Sequence, residues 1–122
     1  MLSIPYVNMP NEAPAGSEVT LGVAVQAQEG VLATVNGNLD GLSLYPVEVN
    51  TWIPGGATSI FTFRFTMPNH DAVFYLTPQY YVQDPLDPNN GWWVSEGTGT
   101  VTVFLSSPVG KGRGMNVAYG KV

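Results

Sequence analysis

The chain has 122 residues, enough for one domain that buries roughly two thirds of its unfolded surface and too few for a second. Hydrophobic residues at 44% and aromatics at 11% exclude wholesale disorder, while charged residues at only 11% point to a surface made of Thr, Ser, Asn, Gln and Gly. Residues 1–107 hold all nine acids and only Arg64, whereas residues 108–122 hold Lys111, Arg113, Lys121 and no acid, so an acidic body repels nucleic acid and a basic tail suits docking on an acidic surface.

Met1 to Tyr6 has no basic or sustained apolar run, so no secretory signal is expected, and no later stretch is long enough to span a membrane. The expectation is a product made without export and without a membrane partner. With no cysteine there is no disulfide framework, thiolate metal site or Cys nucleophile. Pro5, Pro10 and Pro14 make residues 1–16 an extended edge segment.

The first strand opens after Gly16. Val19, Leu21, Val23, Val25 and Ala27 alternate with Thr20, Gly22, Ala24 and Gln26, which predicts one aliphatic face. Glu29-Gly30 turns the chain, Val31 to Asn36 returns as a hairpin partner, and Gly37 to Gly41 is a turn-rich gap. Leu42 to Val49, interrupted by Pro46, reads as a weak edge strand, and Trp52 to Gly56 as a loop.

Phe61, Phe63, Phe65 and Met67 then fall on one side of an extended chain, with Ile60, Thr62, Arg64 and Thr66 on the other. Pro68 removes a backbone donor, Asn69 and Asp71 favour a tight turn, and alternation resumes with Ala72, Phe74 and Leu76. The corner is expected to join strands of different sheets. From Ala72 to Gln83 the strand is long, with a bend or bulge expected at Pro78. Gln79 to Gln83 should pair with Gly91 to Ser95 across the loop 84–90, and Thr100 to Leu105 closes the fold after Gly97 and Gly99. Ten prolines and fourteen glycines leave no window for a helix of ordinary length.

Strands recurring about every ten residues match an all-β, immunoglobulin-like two-sheet sandwich of about seven antiparallel strands with extended N- and C-terminal arms. The run Phe63-Arg64-Phe65-Thr66-Met67-Pro68-Asn69-His70-Asp71-Ala72-Val73-Phe74 resembles the Phe-x-Phe-x-Met-Pro-x-x-Asp corner of bacterial and phage immunoglobulin-like repeats. It covers about a tenth of the chain and implies fold more than function. The expected organisation is a Pro-rich arm or edge strand over 1–16, the sandwich over 17–107 and a Gly-rich basic arm over 108–122.

Candidate chemistry is sparse. His70 is the sole histidine and stands in a turn beside Asp71, with no nearby nucleophile elbow, which points to a structural role. Gly110 to Gly114 lacks the strand and helix that would make a phosphate loop. Asp84, Asp87, Asn89 and Asn90 carry the oxygen ligands a hard cation needs, but their spacing is that of turns, so no metal or other cofactor is expected. Tyr80, Tyr81, Trp92 and Trp93 flank one loop and, with Trp52, are the candidates for a sugar-stacking platform or a protein anchor. Only one of Trp92 and Trp93 can face such a ligand, and the other should be core.

These features predict a non-enzymatic structural protein of a virion, a capsid decoration or accessory subunit or a tail or neck component assembled in the host cytoplasm. Its expected partners are copies of itself or a capsid or tail protein. Lys111, Arg113 and Lys121 would carry the docking charge, because the arms cannot bury themselves and are ordered by neighbours. The alternative is a carbohydrate- or cell-surface-binding module of a larger exported protein.

Overall fold

The computed structural model describes residues 1–106. They form eleven strands: β1 (Leu2–Ser3), β2 (Val7–Asn8), β3 (Glu12–Ala13), β4 (Glu18–Ala27), β5 (Val31–Leu39), β6 (Leu42–Leu44), β7 (Thr51–Ile53), β8 (Thr58–Thr66), β9 (Ala72–Asp84), β10 (Asp87–Ser95) and β11 (Gly99–Leu105). Two sheets pack together as a β-sandwich. In the first, β4 pairs with β8 on one edge and with β1 and β2 on the other. The second runs β3, β11, β9, β5, with β6 and β7 along the outer edge of β5 and β10 beside the far half of β9.

The period-two pattern places the core. Phe61, Phe63, Phe65 and Met67 of the first sheet are buried together with Val19, Leu21, Val23 and Val25, and Val35, Ile53, Phe74, Leu76 and Val103 of the second sheet meet them. Phe74 crosses the interlayer space, its ring 5.4 Å from Phe63 at 66° and 5.6 Å from Phe65. The Pro68 corner carries the chain from β8 in one sheet to β9 in the other, as the sequence predicts. Asp71 holds that corner to the last strand, accepting the Leu105 N–H at 2.8 Å.

Several expectations are corrected. Val31 to Asn36 is not a hairpin partner of the preceding strand: both edges of β4 are taken by β8, β1 and β2, so the chain arches across the core and β5 pairs with β9 instead. Gly37 continues β5, and the turn is Asp40-Gly41, whose φ values of 54° and 82° give the two-residue connection to β6. Trp52 lies in a strand and not in a loop, because β7 pairs through Thr51, Trp52 and Ile53 with β5. No bulge marks Pro78, and the β5–β9 register runs through it without a shift. Its carbonyl accepts the Glu96 N–H at 2.9 Å, on the side away from β5, so the proline's missing donor would have faced the β10–β11 junction and not the ladder.

The largest correction concerns the N-terminal segment. Of the two expectations for residues 1–16, the edge strand holds and the arm that needs a neighbour does not: β1 and β2 pair with β4, β3 pairs in parallel with β11, and Leu2 and Ala13 are buried in the domain's own core. Pro5 and Pro10 fit because each lies between short edge strands, and Pro14 fits because it stands in the turn between β3 and β4. The expected C-terminal arm, residues 108–122, falls outside the described residues.

Candidate functional site

The outward face of the second sheet is where the candidate aromatics gather. Inward positions of β5 are Val31, Ala33 and Val35, so Leu32, Thr34 and Asn36 face out. Inward positions of β9 run Ala72, Phe74, Leu76 and Pro78 to Tyr80, so Gln79 and Tyr81 face out. Trp52 pairs with Leu32, Tyr81 with Trp93 and Gln79 with Ser95. The β5–β9 pairing ends at Ala33–Tyr80, so Leu32 and Tyr81 are the outward positions just beyond its last pair. Trp52, Leu32, Tyr81 and Trp93 therefore lie in order on the outward face across β7, β5, β9 and β10, as the two cross-strand pairs Trp52–Leu32 and Tyr81–Trp93.

Two glycines shape this row. A Cβ on Gly30 would fall 2.6 Å from Trp52 Cζ2, and one on Gly91 would fall 2.2 Å from the Tyr81 hydroxyl oxygen. Without those side chains the Trp52 ring lies close over Gly30 and the hydroxyl end of Tyr81 over Gly91. Trp93 meets Tyr81 edge-to-face at 5.3 Å, and Trp52 is 61% exposed. A polar row runs alongside: Asn36 Nδ2 donates to Gln79 Oε1 at 3.0 Å, and Gln79 Nε2 donates to Ser95 Oγ at 2.9 Å.

The five sequence candidates separate accordingly. Tyr81 and Trp93 are in contact and Trp52 stands on the same face beyond β5, while Tyr80 turns inward and packs on the core. Trp92 pairs with Val82 on the opposite face from Trp93 but is half-exposed, not core, because the β5–β9 pairing ends at Tyr80 and the β9–β10 ribbon continues beyond it. Lys111, Arg113 and Lys121 lie outside the described residues. Leu32 was missed, since its role depends on pairings between distant strands.

A second feature is an apolar ridge on the sandwich edge. Leu42, Tyr45, Val47 and Val49 are 60–81% exposed within eight residues. Pro46 ends β6, and the following segment lies along β8, the Val47 N–H donating to Thr62 O at 2.8 Å. Glu48, the one charged side chain of this segment, is turned onto β8, accepting from Thr62 N–H at 2.6 Å and Thr62 Oγ1 at 2.8 Å. Burial pushes the Glu48 carboxyl up, but these bonds and nearby Arg64 outweigh it and leave the pKa lowered.

That lowered value has a measurable result. The stabilisation from Glu48 is complete above the ordinary glutamate pKa and is lost as pH falls through the lower folded-state value. Glu48→Gln is expected to cost about 1 kcal/mol at neutral pH and to flatten this part of the acid limb in urea titrations. An unchanged acid limb would show that the carboxylate does not hold the segment.

Elsewhere the chemistry is structural. His70 Nδ1 lies 2.9 Å from Asp71 O and Nε2 lies 3.2 Å from Asp40 Oδ2 at the surface, and no serine is among its contacts. Asp84 caps its turn by accepting Leu86 N–H, and Asp87 accepts from Asn89 N–H and Asn90 Nδ2, the local bonding of turns. Among the described residues no three His, Asp or Glu side chains gather as metal ligands. A cleft of about 340 Å³ opens between the sheets, lined by Ile4, Tyr6, Val7, Met9, Leu76 and Val101 with Gly99 and Thr100, and no carboxylate or histidine enters it.

Fold and surface together define a β-sandwich whose distinctive chemistry is an uncharged aromatic face and an apolar edge. No family model matches the chain, and no curated protein matches it in sequence.

Proposed function

We propose that the protein is a non-enzymatic structural subunit, an immunoglobulin-like sandwich that works by protein–protein contact within a larger assembly, in the specific form of a virion decoration, accessory, tail or neck protein. The observation that carries the reading is the segment of Leu42, Tyr45, Val47 and Val49: four large apolar side chains exposed within eight residues, with their one neighbouring charge turned away. A concentration of exposed apolar side chains marks interaction sites in soluble proteins. The strand order, with β4 and β8 in one sheet and β11, β9 and β5 in the other, supports the immunoglobulin-like reading. The resemblance of the Phe63–Phe74 corner to phage and bacterial repeats supports the fold, and the charge-poor composition suits the subunit contacts of the virion form.

The reading does not lean on the N-terminal segment, which pairs with its own domain. Copies of the same chain are the first partner to test, because a ridge running along a sheet edge can meet its own equivalent across a two-fold axis. Sedimentation velocity over a concentration series is expected to show association of the intact chain. The triple variant Tyr45→Ser, Val47→Ser, Val49→Ser should stay monomeric with a melting temperature within a few degrees, since these side chains are not in the core. An intact chain that remains monomeric at its solubility limit would count against contact between copies.

A further inference from the structure

We propose that the outward face of the second sheet is a binding site for neutral polysaccharide, with the sugar chain lying across β7, β5, β9 and β10 along the row Trp52, Leu32, Tyr81 and Trp93. This goes beyond the assembly reading and rests on a different surface.

Three observations carry it. The first is ring presentation. Because Gly30 and Gly91 lack side chains, the Trp52 ring lies close over Gly30 and the hydroxyl end of Tyr81 over Gly91, which holds both rings on the outward face where a pyranose can stack. The second is the fixed line of polar groups one step away. Asn36, Gln79 and Ser95 are already joined at 3.0 and 2.9 Å, which leaves the Asn36 carbonyl oxygen and the Ser95 hydroxyl hydrogen to meet sugar hydroxyls in preset positions.

The third is charge. From Leu32 to Asn38 on β5, Val73 to Gln83 on β9, Gly91 to Ser95 on β10 and Thr100 to Phe104 on β11, every outward position is uncharged. Such a face offers no counter-ion to a uronic acid, sulfate or phosphate and no salt-bridge partner to a protein. It does not exclude water from hydroxyls, and planar amides pair with them well. A row across four strands also favours an extended chain over a single sugar. Aromatic rings of this kind also anchor protein contacts, but those are finished by Arg and apolar pockets, and here the flanking groups are amides and hydroxyls.

The experiment is a printed array of neutral and acidic glycans, followed by affinity electrophoresis in gels containing the neutral polysaccharides galactomannan, xyloglucan or hydroxyethylcellulose. The intact chain should bind neutral glycans in preference to acidic ones and be retarded in at least one gel. Trp52→Ala and Tyr81→Ala should each weaken binding roughly tenfold, the factor that about 1.4 kcal/mol represents. Both should keep the melting temperature of the parent closely enough to exclude unfolding. Gln79→Ala should weaken binding while leaving the rings in place, which separates sugar recognition from mere stickiness of aromatics. Failure to bind any neutral glycan overturns the proposal. So does retention in the double variant Trp52→Ala, Tyr81→Ala, or loss of self-association in that variant without glycan binding, which would assign the face to protein contact. The Tyr45, Val47 and Val49 serine variant should bind glycan like the parent, so the two readings fail separately.

Discussion

Truncating Phe74 to alanine is expected to destabilise the domain by about 3–5 kcal/mol, a large part of the stability of a chain this size. Phe74 is fully buried and is the second sheet's contribution to a three-ring cluster with Phe63 and Phe65 of the first. Its removal deletes apolar area, opens a cavity between two rigid layers and forfeits both ring contacts, each about 0.5–1.5 kcal/mol beyond area burial. Equilibrium urea unfolding checks this: the midpoint should fall while the slope holds. A loss below about 1 kcal/mol would mean that the sheets can close over the gap, contrary to native packing density.

The rings that make this cluster were legible in the sequence because they lie close together on one chain stretch. Period two alone assigns Phe61, Phe63 and Phe65 to one face, Pro68 breaks the strand, and Phe74 resumes the pattern beyond it. The path from Ala27 to Val31 was not legible. A hairpin and an arch need the same apolar alternation, and the choice between them depends on β8 and β1 having occupied both edges of β4, which no local window contains. Trp52 was misplaced for a related reason: Thr51, Trp52 and Ile53 are too few residues, between Asn50 and Pro54, to show a period, and only pairing with β5 makes them a strand.

The candidate surfaces divide in the same way. Opposite facing of Trp92 and Trp93 follows from alternation, but the exposure of Trp92 follows from where β5 begins. The row from Trp52 to Trp93 draws on positions 32, 52, 81 and 93, set on one face by three registers that the chain order does not announce. Leu42 to Val49 reads as an edge strand, yet only its first three residues pair with β5. Pro46 and the Glu48–Thr62 bonds then redirect the rest along β8, and this leaves the ridge uncovered.

Gly37→Ala is the second large effect, expected at about 2–3 kcal/mol although it adds one methyl group. Gly37 is an inward position of β5 and its φ is not in the left-handed region, so backbone freedom is not the reason for glycine there. The reason is space. A Cβ would stand 2.6 Å from Phe74 Cε1 and 2.9 Å from Phe63 Cε2, inside van der Waals contact with two rings that are themselves fully buried. Neither ring can retreat without displacing the other, because they meet edge-to-face. An alanine gained at an exposed strand position would instead stabilise slightly, since glycine is unfavourable in strands, so the sign of the change separates the two accounts. The combination with Phe74→Leu tests the cause directly. If the clash is with the Phe74 ring, the smaller side chain makes room for the new methyl, and the double variant should be more stable than the sum of the single losses predicts by about 1 kcal/mol or more. Strict additivity in urea unfolding would show that the strain lies in β5 itself and not between the layers.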